Sequence, residues 1–159
     1  MRIVFIGTVE FSKKALQRLI ELEANVVGVC TKEKSDFNSD FADLRPLCKK
    51  KKIPTKIVND INSKQNFDWI KSLNPDIIFC FGWSSLLKKK ILTLPEMGVL
   101  GFHPSKLPQN RGRHPLIWAL ALGLKKSAST FFFMEEEADS GEILSQKDFE
   151  ILDIDDAQT

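Results

Sequence analysis

The stretch Arg2–Cys30, RIVFIGTVEFSKKALQRLIELEANVVGVC, decides the fold class. Arg2 to Ile6 is a short apolar run that stops at Gly7-Thr8, and Phe11 to Leu22 then carries apolar residues at 11, 15, 16, 19, 20 and 22. That spacing follows one helix face, whereas the unbroken run before it reads as a strand buried on both sides. Asn25 to Cys30 is a second such strand. Strand, helix and strand in this order favour parallel pairing through a right-handed crossover. The first turn holds a single glycine, Gly7, where a dinucleotide fingerprint needs G-x-G-x-x-G, so NAD or FAD is not expected. Gly7 reads as a plain turn glycine or as the floor under a ligand at the carboxyl ends of the strands.

Working outward, residues 31 to 39 are polar and read as a loop, followed by a helix from Asp40 to about Lys51 and a short strand at Thr55 to Val58. Ser63 caps a helix running to Leu73, and Asn74-Pro75-Asp76 breaks it. Ile77 to Phe81 is the most apolar strand. Gly82 to Leu87 leaves its carboxyl end, with Ser84 or Ser85 available to cap a short helix reaching Leu92. Val99 to His103 is the next strand, and Pro115 to Leu122 a helix with proline at an early position, which its fixed φ suits. Ala128 to Met134 and Ile143 to Ile151 are two more strands, joined too tightly for a helical crossover and therefore antiparallel. The expected fold is α/β: a Rossmann-like three-layer sheet, mostly parallel, with an antiparallel pair near the C-terminal end. One domain over 1–159 is expected. Asp153 to Thr159 resembles a helix start with no helix after it, so the natural chain is expected to continue past Thr159.

Composition sets the outer bounds. The 159 residues are 43% hydrophobic, and 23 basic against 21 acidic residues leave a net charge of +2. That balance gives no bulk argument for nucleic acid. The runs Lys49 to Lys52 and Lys88 to Lys90 read as solvated helix ends. Cys30, Cys48 and Cys80 form no CxxC pattern, which suits buried thiols in a reducing, cytoplasmic setting. No apolar segment nears the ~20 residues that span a bilayer, so no membrane partner is expected. The exposed helical faces leave a homodimer open.

The chemistry gathers after the strand Val99–His103. Residues 104 to 115 hold three prolines, a glycine, two arginines and a second histidine, too irregular for a helix and too proline-rich for a strand. Strands deliver His103 and Asp139 to loops on one edge of the sheet, where open α/β sheets bind ligands. A histidine moves protons near neutral pH, and a carboxylate within reach orients it and stabilises its cation. Equally, His103 reads as a strand-end histidine bonded to backbone, and Asp139 as a turn residue before Ser140-Gly141. His103 and His114 have no third ligand nearby, so no metal is expected. No G-x-S-x-G elbow occurs, which leaves serine chemistry without support.

Three groups of residues together resemble the folate-dependent formyltransferase family. They are Arg2 to Thr8 with Glu10-Phe11; His103-Pro104-Ser105-x-Leu107-Pro108 followed by Arg111-Gly112; and Ala138-Asp139-Ser140-Gly141. The similarity covers nearly the whole chain, in order. Within the family, Asn110-Arg111-Gly112-x-His114-Pro115-x-x-Trp118 is closer to the sugar N-formyltransferase branch than to the tRNA branch, which carries an additional carboxyl-terminal domain not seen here. The resemblance implies an enzyme, with 10-formyltetrahydrofolate as formyl donor and a nucleotide-linked amino sugar as acceptor, and no nucleic acid partner.

It also implies residue roles. His103 and Asp139 are the catalytic pair. Phe81, Gly82, Trp83, Leu86, Leu87, Glu137 and Ala138 are expected to bind the pterin, and Gly7, Thr8, Ser105, Lys106, Asn110, Arg111, Arg113 and His114 the substrate. Arginine and lysine in that last set suit a diphosphate, although Arg111 equally suits bracing the loop against Glu135 to Glu137. One departure stands out: the family's catalytic set is Asn-x-His with a later Asp, and two residues before His103 stands Gly101. Asn110 or a backbone N–H is then a substitute donor. The alternatives that this leaves are a non-catalytic folate- or nucleotide-binding module and a formyltetrahydrofolate hydrolase.

Overall fold

The structure, a computed structural model, describes residues 1–34, 39–157 and 159. Its elements are β1 (Ile3–Ile6), α1 (Glu10–Glu21), β2 (Val26–Thr31), α2 (Arg45–Lys51), β3 (Thr55–Ile57), α3 (Lys64–Ser72), β4 (Ile77–Cys80), α4 (Lys89–Leu92), β5 (Val99–His103), α5 (Pro115–Ala121), β6 (Lys126–Phe133) and β7 (Ile143–Glu150). The strands form one seven-stranded sheet in the order β3-β2-β1-β4-β5-β6-β7. The expected α/β class, mostly parallel with an antiparallel end, is the fold observed. The chain divides into two compact units, Met1–Leu100 and Gly101–Thr159, and β5 runs from the first into the second.

In the first unit, β1 pairs in parallel with β2 on one side and β4 on the other, and β2 pairs in parallel with β3. All four residues of β1 are buried, which is why its sequence is a continuous apolar run instead of an alternating one. Leu16 of α1, Ile70 of α3 and Ile78 of β4 have no exposed surface. Each such side chain contributes about 2 kcal/mol relative to leaving it in water. Cys30, one residue before the end of β2, and Cys80, at the end of β4, lie inside this core, where burial pushes both thiols up to about 12.

Some boundaries differ from the sequence reading. The helix expected from Asp40 begins at Arg45, because Phe41 bridges to Val9 and the amides of Glu10 and Ala42 bond to Asp40 and Thr8 carbonyls. Asp43 then accepts from both the amide and the guanidinium of Arg45, which holds its carboxyl below the usual value. Ser63 does cap α3, accepting from the Asn66 amide at 3.3 Å. Ser84 and Ser85 cap nothing: α4 starts only at Lys89, after the Asn62 carboxamide has bound the Leu86 carbonyl and the Lys88 amide. The loop expected at 31–39 starts one residue late, since Thr31 ends β2, and residues 35–38 lie outside those described.

In the second unit, β6 and β7 pair antiparallel, with an irregularity between Phe131 and Phe132. Phe102 of β5 meets Phe131 of β6 with ring centroids 5.1 Å apart. Gly141, at φ +108, is there from necessity: a Cβ would lie 1.9 Å from the Phe133 carbonyl oxygen. Proline opens α5 as expected. After β7 the Leu152 amide donates to Asp155 Oδ2 in a turn, so no helix forms over the described part of 153–159.

Candidate functional site

β5 is buried except at half-buried Phe102 and ends on His103, which keeps only 7% of its surface exposed. Its Nδ1 faces Asp139 Oδ1 at 3.5 Å, and its Nε2 faces the Asn110 carbonyl at 3.2 Å. One ring nitrogen thus faces backbone and the other a carboxylate. A carbonyl only accepts, so Nε2 carries a proton in that contact. The second carboxylate oxygen of Asp139 accepts from the Gly112 amide at 2.8 Å. The sequence singled out both ionisable groups. It did not single out this amide, since a backbone N–H carries no residue identity in the sequence.

The rest of the loop 104–114 is tied to the β6–β7 ladder. Ser105 is buried; its hydroxyl donates to the Gln109 carbonyl, and its own carbonyl accepts from Thr130 Oγ1 at 2.6 Å. Gln146 reaches from β7 to the Leu107 carbonyl and to Thr130 Oγ1. Among the candidate phosphate ligands, Lys106 pairs with Asp148 at 2.7 Å and Arg111 with Glu137 at 3.6 Å, the bracing alternative for Arg111. Asn110 is exposed with φ +54, and His114, at φ +56, precedes α5. Ser140 donates to the Glu137 carbonyl, which shapes the turn that carries Asp139.

Gly101 has its own steric reason. A Cβ there would stand 2.8 Å from Met134 Cγ and 3.1 Å from both Met134 Sδ and Phe132 Cε1. The volume that a side chain at 101 needs is already filled by apolar atoms.

In the first unit, the remaining candidates separate into two kinds. The Gly7 amide bonds to the Cys30 carbonyl, and the Thr8 and Val9 amides both donate to Ser12 Oγ at 3.1 Å. Ser12 in turn donates to the Phe81 carbonyl at 2.6 Å. Thus the turn after β1 has spent its amides internally. A Cβ on Gly7 would meet the Phe81 oxygen at 2.5 Å, so that glycine serves close packing. The segment after β4 is different: Leu86 is 60% exposed, Leu87 is buried, and Lys32 lies over the Trp83 ring. Trp83 Nε1 is buried without a partner among the described residues, as are the hydroxyls of Thr8 and Thr31. An open cleft of about 570 Å3 lined by Asp43, Arg45, Pro46, Lys49, Ile53, Thr55 and Ile57 includes none of the candidate residues.

The sheet thus delivers a histidine to an irregular loop, and a carboxylate answers it from the next loop. The formyl transferase family model matches residues 1–159, and the chain belongs to that family. Methionyl-tRNA formyltransferase of Caldanaerobacter subterraneus subsp. tengcongensis is 34% identical, over 100% of this chain and 53% of that protein. The methionyl-tRNA formyltransferase of Thermotoga maritima is 33% identical, over 95% of this chain and 50% of its own length. The chain thus spans about half the length of these relatives. Phosphoribosylglycinamide formyltransferase of Brucella melitensis superposes with a TM-score of 0.75 at 30% identity, covering 99% of this chain and 83% of that one. The Bacillus halodurans protein of the same name matches in fold, with a TM-score of 0.83 at 20% identity over 98% and 83%.

Proposed function

We propose that this chain transfers a formyl group from 10-formyltetrahydrofolate to a primary amine, with His103 and Asp139 as the catalytic pair. The observation that carries the reading is the buried His103 with Asp139 Oδ1 3.5 Å from its Nδ1. The folate supplies an electrophilic formyl carbon, which the amine attacks to form a C–N bond before the bond to the folate nitrogen breaks. His103 gives the proton on its Nε2 to the leaving folate nitrogen and takes one back from the attacking amine, so that the proton count closes. Before that transfer the same Nε2–H donates to the developing oxyanion, and Asp139 stabilises the ring while both nitrogens are protonated.

For the folate, the segment after β4 fits. The unpartnered Trp83 Nε1 is a donor without an acceptor, and Leu86 presents apolar surface beside it in sequence. Phe81, Gly82 and Leu87 complete that proposal. For the acceptor we propose a nucleotide-linked amino sugar. Its support is the exposed run Arg111 to His114 and Trp118, 58% exposed one turn into α5, which suit a diphosphate and a ring. A second reading, an aminoacyl-tRNA acceptor, is favoured by the named activity of relatives 33–34% identical to this chain.

The deciding experiment incubates the protein with 10-formyltetrahydrofolate and, separately, nucleotide-linked amino sugars, methionyl-tRNA and glycinamide ribonucleotide. Formylated amine from one acceptor identifies it. Formate released at the same rate without any amine points to hydrolysis, and folate binding with neither product leaves a binding module.

A further inference from the structure

The loop after β5 touches both members of the His103–Asp139 pair with backbone atoms. The Asn110 carbonyl lies 3.2 Å from His103 Nε2, and two residues later the Gly112 amide donates to Asp139 Oδ2 at 2.8 Å. A carboxylate on a single bond is free to rotate, and only one of its oxygens faces the imidazole. Fixing the other oxygen on an amide removes that rotation and holds Oδ1 toward Nδ1. Arg111 of the same loop is paired with Glu137 on exposed surface.

Gly112 is suited to this by conformation and not by space. Its φ is +102, a region that L side chains rarely adopt, yet among the described residues beyond its two chain neighbours no heavy atom lies within 4 Å of where a Cβ would stand. Gly141 is the contrast, since a Cβ there would collide with the Phe133 carbonyl at 1.9 Å. A glycine in open space at positive φ keeps a backbone direction, and the direction kept here aims the amide at Asp139.

We propose that Gly112 is a positioning residue: its N–H clasps the Asp139 carboxylate so that it faces His103. At the same time the Asn110 carbonyl occupies, on Nε2, the place that the reacting oxygen takes. The role in turnover rests on the catalytic pair proposed above, whereas the clasp itself does not. Substrate then exchanges one carbonyl for another at Nε2 and leaves the Gly112–Asp139 contact in place.

The test uses the full chain labelled with 15N. The Gly112 amide should exchange slowly with solvent, and Asp139→Ala should release it by at least about tenfold, the loss of one hydrogen bond of about 1.4 kcal/mol. In Gly112→Ala the ring 15N resonances of His103 should move in protein that remains folded, with the thermal midpoint lowered by the strain of alanine at this φ. In the formyl-transfer assay kcat should fall about 10²-fold with KM nearly unchanged, as expected for a slightly misplaced catalytic group. A Gly112 amide that exchanges like an exposed loop amide in both wild type and Asp139→Ala overturns the clasp. A protected amide with unmoved His103 resonances and wild-type kcat in Gly112→Ala overturns the positioning role. If the wild type formylates no acceptor, the functional reading fails by itself, and the amide and imidazole measurements still decide the clasp.

Discussion

Two turns at strand ends, the one after β1 and the one after β5, answer their polar groups in opposite ways. After β1, the amides of Gly7, Thr8 and Val9 are taken by the Cys30 carbonyl and by Ser12 Oγ, a side chain with no exposed surface, which then donates to Phe81. After β5, the polar groups belong to His103 and Asp139, and their partners are backbone atoms of residues 110 and 112 on an exposed loop. A buried hydroxyl serving three backbone groups is expensive to displace, because each group left unpaired costs its desolvation. A loop carbonyl on an imidazole is exchanged for a ligand oxygen at little cost. The first arrangement fixes a fold, and the second leaves a reactive group available.

The largest effect should come from the exchangeable side. His103→Ala should lower formyl transfer by about 10³-fold, within the range for loss of a general acid–base, while the thermal midpoint stays near that of the wild type. Rate and midpoint are read on the same sample. A variant retaining a tenth of the wild-type rate would remove His103 from the chemistry and make the two turns alike.

Next comes Ser12→Ala, on the locked side. It strands the Thr8 and Val9 amides and the Phe81 carbonyl, so unfolding in urea should show a loss of about 2–3 kcal/mol. The thiols of Cys30 and Cys80, pushed up to about 12 by burial, provide a local probe. With so high a pKa the thiolate is scarce below it, so both should resist alkylation at pH 8 in the wild type and react faster in Ser12→Ala. Unchanged stability with unchanged labelling would show that the knot around Ser12 holds nothing.

Gly101→Asn ranks third, and it shows what the sequence could and could not disclose. That the amide of an Asn-x-His set is missing is visible from residue 101 alone, as are the strand that ends on His103, the Asp139 turn and the antiparallel pairing of the last two strands. Such features are carried by periodicity and local residue types, which one sequence displays. What fills the space at 101 comes from Phe132 and Met134, some thirty residues away, and only the register of neighbouring strands brings them there. The late start of α2 is hidden for the same reason, since it depends on Phe41 bridging to Val9. The Gly112 amide is hidden because backbone groups carry no residue identity. With 2.8 Å between a Cβ at 101 and Met134 Cγ, Gly101→Asn should destabilise by about 1–3 kcal/mol through overpacking. Adding Met134→Ala should recover part of the loss in a denaturation experiment. A stable Gly101→Asn with raised activity would instead mean that Met134 yields easily and that an amide is welcome beside His103.

The smallest effect is expected at Lys106, where the loop meets β7. Its Nζ lies 2.7 Å from Asp148 Oδ2, with about half of each side chain exposed. A pair in that setting is worth no more than about 1 kcal/mol and weakens with salt, so Lys106→Ala should shift stability by a few tenths of a kcal/mol at low ionic strength and by nothing measurable in about 0.5 M salt. The informative number is KM. If Lys106 only braces the loop on β7, KM for the acceptor stays within about twofold of the wild type and kcat is unchanged. A diphosphate that draws Lys106 away from Asp148 loses a charge-assisted contact in the variant, and KM then rises about tenfold or more, roughly the value of one such contact. The first outcome places Lys106 with Ser12 among groups that fix the fold. The second places it with His103, and the boundary between locked and exchangeable groups would then run through the loop itself, between Ser105, bound to the β6–β7 ladder, and its next residue.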